Sequence, residues 1–265
     1  MDQVIQTAYL LAAIFFICGL KSLSTPETAS RGLRLSQAGM LIAIVATLLH
    51  YGVVDYDLIA FGVAIGAVLG IVMAIKTRMP DSLHGVALLN GFGGLASVLV
   101  GAAEFFRSQA NLSPYPMAFI AGTLFIGVMT ASGSAGVFFK RGGPRRFPFQ
   151  HGLSLFFFVA AAVLMGYLAF APSATSAFFA LCVVSFMLGV LIVMPVSVED
   201  RPVVISLLNA FSGVAAAASG FVLNNNILIM TGALAGSAGM MLCQSMCGAE
   251  GRSLANVLFG GFRKI

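Results

Sequence analysis

Two asparagines occupy matching settings in a chain that is otherwise strongly apolar. Shifting the sequence by 119 positions superposes Asp81 on Asp200, Leu88-Leu89-Asn90 on Leu207-Leu208-Asn209, Phe92 on Phe211, Gly94 on Gly213, Ala96 on Ala215 and Gly101 on Gly220, eight identities in 21 positions. Leu, Ala and Gly match easily between apolar segments, whereas Asp, Asn and Phe in fixed register do not. Each copy is followed by Gly-Ser-Ala-Gly, at 133–136 and 236–239. On a helix, Asn90, Gly94, Ser97 and Gly101 fall four, three and four apart and share one face, as do Asn209, Gly213, Ala216 and Gly220. One reading is tight packing: small residues let helix backbones approach, and each amide bonds across the contact for about 0.6 to 2 kcal/mol. The other is a hydrated path, because an amide both donates and accepts and orders water without carrying charge.

Other polar groups point to less. His84 lies one turn into a candidate helix, and His50 and His151 stand at helix boundaries, where interfacial placement explains them. Glu199-Asp200 before Pro202 reads as a helix start with acid at its positive end. No Asp, Glu, Lys or Arg falls deep in an apolar span, so a proton carrier acting alone would lack a titrating group. Gly91-Phe-Gly93-Gly-Leu-Ala96 imitates a dinucleotide fingerprint but has neither a preceding strand nor an acidic ribose ligand. Cys18, Cys182, Cys243 and Cys247 sit in apolar spans and read as small buried hydrophobes. No metal site, P-loop or catalytic dyad is expected.

The elements that must position these residues are membrane helices. Charged residues make up 9% of the chain and apolar residues 59%, far from the roughly one quarter charged of a soluble domain. Apolar runs of about 20 residues, each enough for a bilayer core, recur almost without pause. They do not alternate as barrel strands would. The reading is an all-α polytopic bundle of about nine transmembrane helices at 3–23, 33–50, 57–76, 82–103, 117–139, 151–170, 175–195, 202–222 and 226–247. Asp2 before the first run, and Lys21 after it, argue against a secretory signal.

The basic residues follow the loops rather than cluster with aromatics, so no nucleic acid is implied. Lys21, Arg31, Arg34, Lys76, Arg78, Lys140, Arg141, Arg145, Arg146, Arg201, Arg252, Arg263 and Lys264 fall on one side and Arg107 alone on the other. This 13 to 1 split puts the C-terminus in the cytoplasm and, with nine spans, the N-terminus outside. The basic stretch 140–146 is also able to meet anionic lipid.

Residues 201–221, Arg-Pro-Val-Val-Ile-Ser-Leu-Leu-Asn-Ala-Phe-Ser-Gly-Val-Ala-Ala-Ala-Ala-Ser-Gly-Phe, resemble the most characteristic stretch of the β subunit of proton-translocating nicotinamide nucleotide transhydrogenase. The likeness continues through 226–239 to Arg252, and covers 8–23 and 85–101. The resemblance implies a membrane domain over 1–250 that conducts protons coupled to hydride transfer from NADH to NADP+, with 251–265 leading toward an NADP(H)-binding domain. NAD(H) and NADP(H) would bind partner domains, with no cofactor held here. It further implies a small α-type membrane subunit, an NAD(H)-binding subunit, a homodimeric assembly and a bacterial inner-membrane location. The chain would be a separately made membrane subunit or a shortened form.

By the same resemblance, Asn209 matches a polar residue of proton transfer and Asp200 the acid at its cytoplasmic entrance. Gly232, Gly236, Ser237 and Gly239 match the small-residue helix leading to the NADP(H) domain, with Ser237 also on the proton pathway, and Arg252 matches a basic position in the connecting segment. Gly94 and Gly213 would serve packing and coupling. Asn90 departs, since some relatives carry a proton-relay histidine there, which a companion subunit is able to supply in split forms. A secondary transporter would show interrupted helices around a midplane pocket, and a passive anchor of a soluble enzyme would need no polar pair.

Overall fold

The computed structural model describes residues 2–23, 25–50, 56–76, 82–108, 113–140, 142–143, 148–249, 251 and 253–255. Its long helices are α1 (Asp2–Leu23), α2 (Ala29–His50), α3 (Tyr56–Lys76), α4 (Ser82–Ser108), α5 (Pro114–Phe139), α6 (Gln150–Phe170), α7 (Thr175–Val193), α8 (Arg201–Val222) and α9 (Asn226–Ala249). All nine are long and apolar enough to cross a membrane, and no strand occurs among the described residues. Several ends lie beyond the apolar runs. α2 begins before Arg31 and Arg34, and α4 continues past Glu104 and Arg107, because a helix carries its polar side chains into the headgroup region without stopping.

The chain divides into two compact units, Met1–Ser82 and Leu83–Ile265. In the first, α1 and α2 run antiparallel with small residues at their crossing. A Cβ on Gly32 would lie 2.7 Å from the Gly19 carbonyl oxygen, and one on Gly39 would lie 3.0 Å from that of Ala12. α3 is exposed along nearly all of its length, with only Met73 half-buried.

In the second unit α5 is the hub, bordered by α6, α7 and α8 and crossed by α4. One apolar core gathers Phe105, Met117, Leu124, Leu168 and Phe178, with the Phe105 and Phe178 rings stacked at 4.5 Å. A second, toward the opposite end of α5, joins Val137, Val193, Val204, Leu207, Leu208 and Cys243. Cys243 and Cys247 are buried as expected, but Cys182 is half-buried and Cys18 exposed, so the small-hydrophobe reading holds for only two of the four.

Polar side chains close the helix ends. Lys140 Nζ donates to the carbonyls of Val193, Met194 and Val196 at 3.1, 2.7 and 2.7 Å, satisfying acceptors that the last turn of α7 leaves open. Asn225 Oδ1 accepts the Leu228 N–H at 3.1 Å and caps α9. Its neighbour Asn224 takes φ 51°, a left-handed conformation that Asn tolerates, which lets α8 reverse into α9 within three residues.

Candidate functional site

The site is built where α4 crosses α5. Asn90, Gly94, Ser97 and Gly101 are all buried, as their spacing predicts. A Cβ on Gly94 would stand 2.7 Å from the Gly127 carbonyl oxygen and 2.9 Å from the Ala131 nitrogen, and one on Gly127 would stand 2.9 Å from the Gly94 oxygen. The two backbones therefore touch with no side chain between them. Asn90 Nδ2 donates to the Ile205 carbonyl at 3.1 Å. Within α8 that carbonyl also faces the N–H of residue 209, so the amide of α4 rests on the turn that carries Asn209.

Along α5, Thr123, Thr130 and Ser134 lie on the side that packs against this crossing. The Thr123 Cγ2 lies 3.4 Å from a Cβ placed on Gly101, the Thr130 Cβ 3.2 Å from one on Gly94, and the Ser134 Cβ 3.4 Å from one on Gly91. All three residues are 0% exposed, and none of their hydroxyl oxygens has a hydrogen-bond partner among the described residues. Serine and threonine in helices ordinarily bond back to the carbonyl one turn earlier, as Ser97 does to Gly93 at 3.3 Å. A buried hydroxyl without a partner costs roughly 1 to 3 kcal/mol, and such groups in folded proteins are ordinarily satisfied by a protein or water partner. From 123 to 134 the row spans about 16 Å of helix, more than half of a bilayer core of about 30 Å.

The repeat is only partly kept in space. Gly213 meets Gly236 and Gly232 of α9, and a Cβ on Gly232 would lie 2.8 Å from the Gly213 oxygen, a second glycine-on-glycine crossing like that of Gly94 and Gly127. Gly239 packs on Ala210, and its carbonyl accepts the Ser206 hydroxyl at 3.0 Å. The Gly-Ser-Ala-Gly segments differ, however. Gly133 and Gly136 of α5 face α7 at Gly189 and Val193, with the Leu208 side chain also against Gly133, whereas Gly236 and Gly239 face α8.

Asn209 is exposed, so the two amides do not form a buried pair. α9 covers the glycine side of α8, and residue 209 falls beyond its reach. Asp200 is 1% exposed at the start of α8, where Ser197 Oγ donates to its Oδ2 at 2.8 Å and accepts its N–H at 3.3 Å. Beside it, Arg201 Nη2 donates to the Gly142 carbonyl at 2.9 Å. Ser237 is exposed, donates to its own helix at Leu234 at 3.0 Å, and lies away from the α4–α5 crossing. Arg252 lies outside the described residues. Among the described residues no group of three His, Cys, Asp or Glu is placed to hold a metal.

The family model described as NAD(P) transhydrogenase beta subunit matches residues 5–265. NAD(P) transhydrogenase subunit beta of Rhodospirillum rubrum is 40% identical over 267 residues, covering 96% of this chain and 57% of the relative. The same-named subunit of a designated strain of that organism matches with the same identity and coverage. The chain thus spans somewhat more than half the length of the curated relatives it matches.

Proposed function

This chain belongs to the NAD(P) transhydrogenase beta subunit family, and from that premise we propose that it is the proton-conducting membrane part of such an enzyme. It moves protons as hydride passes from NADH to NADP+ on partner domains. The observation that carries the reading is the row of unpartnered, fully buried hydroxyls on α5, on residues that pack against Gly91, Gly94 and Gly101 of α4. Hydroxyls and amides joined by water pass protons without carrying charge in the bilayer, which suits spans that hold no deep ionisable group. Asp200, buried and hydrogen-bonded at the start of α8, serves as the acid at the entrance. Ser237 belongs to the path only if a partner covers its exposed face.

Neither an amide nor a hydroxyl takes up and releases a proton near neutral pH. The titrating group comes from the small α-type membrane subunit, which covers α8 where Asn209 is left exposed. NAD(H) and NADP(H) sit on an NAD(H)-binding subunit and an NADP(H)-binding domain. The assembly is a homodimer in a bacterial inner membrane, with the N-terminus outside and the C-terminus cytoplasmic. Proton occupancy changes nucleotide affinity only if it favours one state of the NADP(H) domain. The glycine stripe of α9, Gly232, Gly236 and Gly239, with residues 251–265 and Arg252 after it, transmits that preference.

The test is Asn209→Leu in a complex reconstituted with all subunits. Loss of an exposed amide leaves the helix contacts intact, so assembly is expected to survive while proton-linked transhydrogenation falls at least about tenfold, or roughly 1.4 kcal/mol of barrier. Phe156→Leu, at a 63% exposed position on α6, serves as the control and is expected to be nearly silent. An Asn209→Leu complex that assembles and turns over at the unmodified rate removes this residue from the path.

A further inference from the structure

The polar groups of the site are split, since Asn209 is exposed while Asn90 and the α5 hydroxyls are buried. α4 meets α8 at two points. Asn90 Nδ2 donates to the Ile205 carbonyl at 3.1 Å, and three residues farther along α4 a Cβ placed on Gly93 would stand 2.7 Å from Ser212 Oγ. The next residue, Gly94, crosses α5 at Gly127 and Thr130. α4 therefore brings bare backbone to α8 at one residue and to α5 at the following one.

Ile205, Asn209 and Ser212 fall four and three residues apart and share one face of α8. Asn209 thus stands between the two contacts with α4. At a spacing of three its Cβ lies about 5 to 6 Å from that of Ser212, a separation that one water bridges. Ser212 is half-buried where Asn209 is exposed. Ser219 of the same helix bonds back to the Ala215 carbonyl at 2.9 Å, whereas Ser212 has no hydrogen-bond partner among the described residues. A serine hydroxyl donates one hydrogen bond and accepts others, and this one reaches the α4 backbone only because residue 93 has no side chain. Resting on the reading of the α4–α5 seam as a proton path, we propose that Ser212 is a further relay residue, whose hydroxyl passes protons between water at the exposed Asn209 and the buried seam. It takes a proton from one water and releases its own to the next, so it returns to the same neutral form.

The experiment compares proton movement on adding NADH and NADP+ with hydride exchange assayed without a proton gradient, in vesicles holding the whole complex. Ser212→Ala is expected to lower proton movement at least about tenfold while exchange persists, and Ser212→Thr, which keeps the hydroxyl, to retain most of it. Gly93→Ala is expected to match Ser212→Ala, because its methyl takes the place of the hydroxyl. The double variant should lose no more than Ser212→Ala alone, since the two changes remove one group and the new methyl lies 3.9 Å from the Cβ of residue 212, an ordinary contact. Ser212→Ala moving protons at the unmodified rate, or losses that multiply in the double variant, would overturn the proposal. Thr130→Val with Ser134→Ala, measured alongside, separates the two ideas: a loss there with full movement in Ser212→Ala removes only Ser212, whereas full movement in both removes the seam reading as well. Should Gly93→Ala fail to assemble, the contrast between Ser212→Ala and Ser212→Thr decides, and equal loss in both would assign Ser212 to packing.

Discussion

Gly213→Leu is expected to abolish recovery of a folded chain. A Cβ at 213 would run into backbone atoms of Gly236 and lie 2.9 Å from the Gly232 carbonyl oxygen. Backbone cannot rotate aside as a side chain does. α8 and α9 would have to separate along the crossing that also holds Gly232, Gly236 and Gly239. Overpacking of an interior by side-chain contacts costs about 1 to 3 kcal/mol, and a backbone clash at a helix crossing exceeds it. In a membrane there is little hydrophobic force to hold the pair together once close packing is lost. Gly66→Leu on α3 is the matched comparison, because nothing lies within 4 Å of a Cβ there. The ratio of monodisperse to aggregated protein after detergent extraction, measured for both variants, distinguishes the two; equal recovery would show that the crossing yields.

Asn90→Leu is expected to leave the chain folded and to lower proton-linked transhydrogenation by more than about tenfold. The stability term is small, since a hydrogen bond between membrane helices averages about 0.6 kcal/mol and Asn90 contributes one, to Ile205. The functional term is large because Asn90 shares the buried face of α4 with Gly94, which packs on α5, and its amide touches the turn of α8 that bears Asn209. Asn90→His keeps a donor for the Ile205 carbonyl and adds a group that titrates near neutral pH, so it should retain far more activity than Leu. Steady-state rates in vesicles with all subunits present, normalised to assembled complex, decide between them. Equal loss in both variants would assign Asn90 to packing alone.

The spans were legible because apolar length near 20 residues leaves few alternatives in lipid, and nine helices of that kind are found among the described residues. The buried face of α4 was legible too, since spacing alone puts Asn90, Gly94, Ser97 and Gly101 together. The same logic misplaced Asn209. A sequence repeat preserves residue types but not the neighbour each face meets, and α9 takes the glycine side of α8 while leaving residue 209 outside. The hydroxyls of α5 escaped notice for a different reason. Thr123, Thr130 and Ser134, seven and four apart with Gly127 between them, share a face, but serine and threonine are common in apolar helices and usually bond to their own backbone. Only the structure shows that these three do not. Their register with Gly127 was the available signal.

The central claim is that protons cross along the α4–α5 seam, and paired rates from one preparation test it most directly. Thr130→Val with Ser134→Ala removes two of the three unpartnered hydroxyls while filling nearly the same space, so the helices should pack as before. In vesicles containing the whole complex, proton movement across the membrane on adding NADH and NADP+ is compared with hydride exchange assayed without a proton gradient. The account predicts that proton movement falls at least about tenfold while exchange on the partner domains persists. Proton movement at the unmodified rate in a correctly assembled double variant would contradict it.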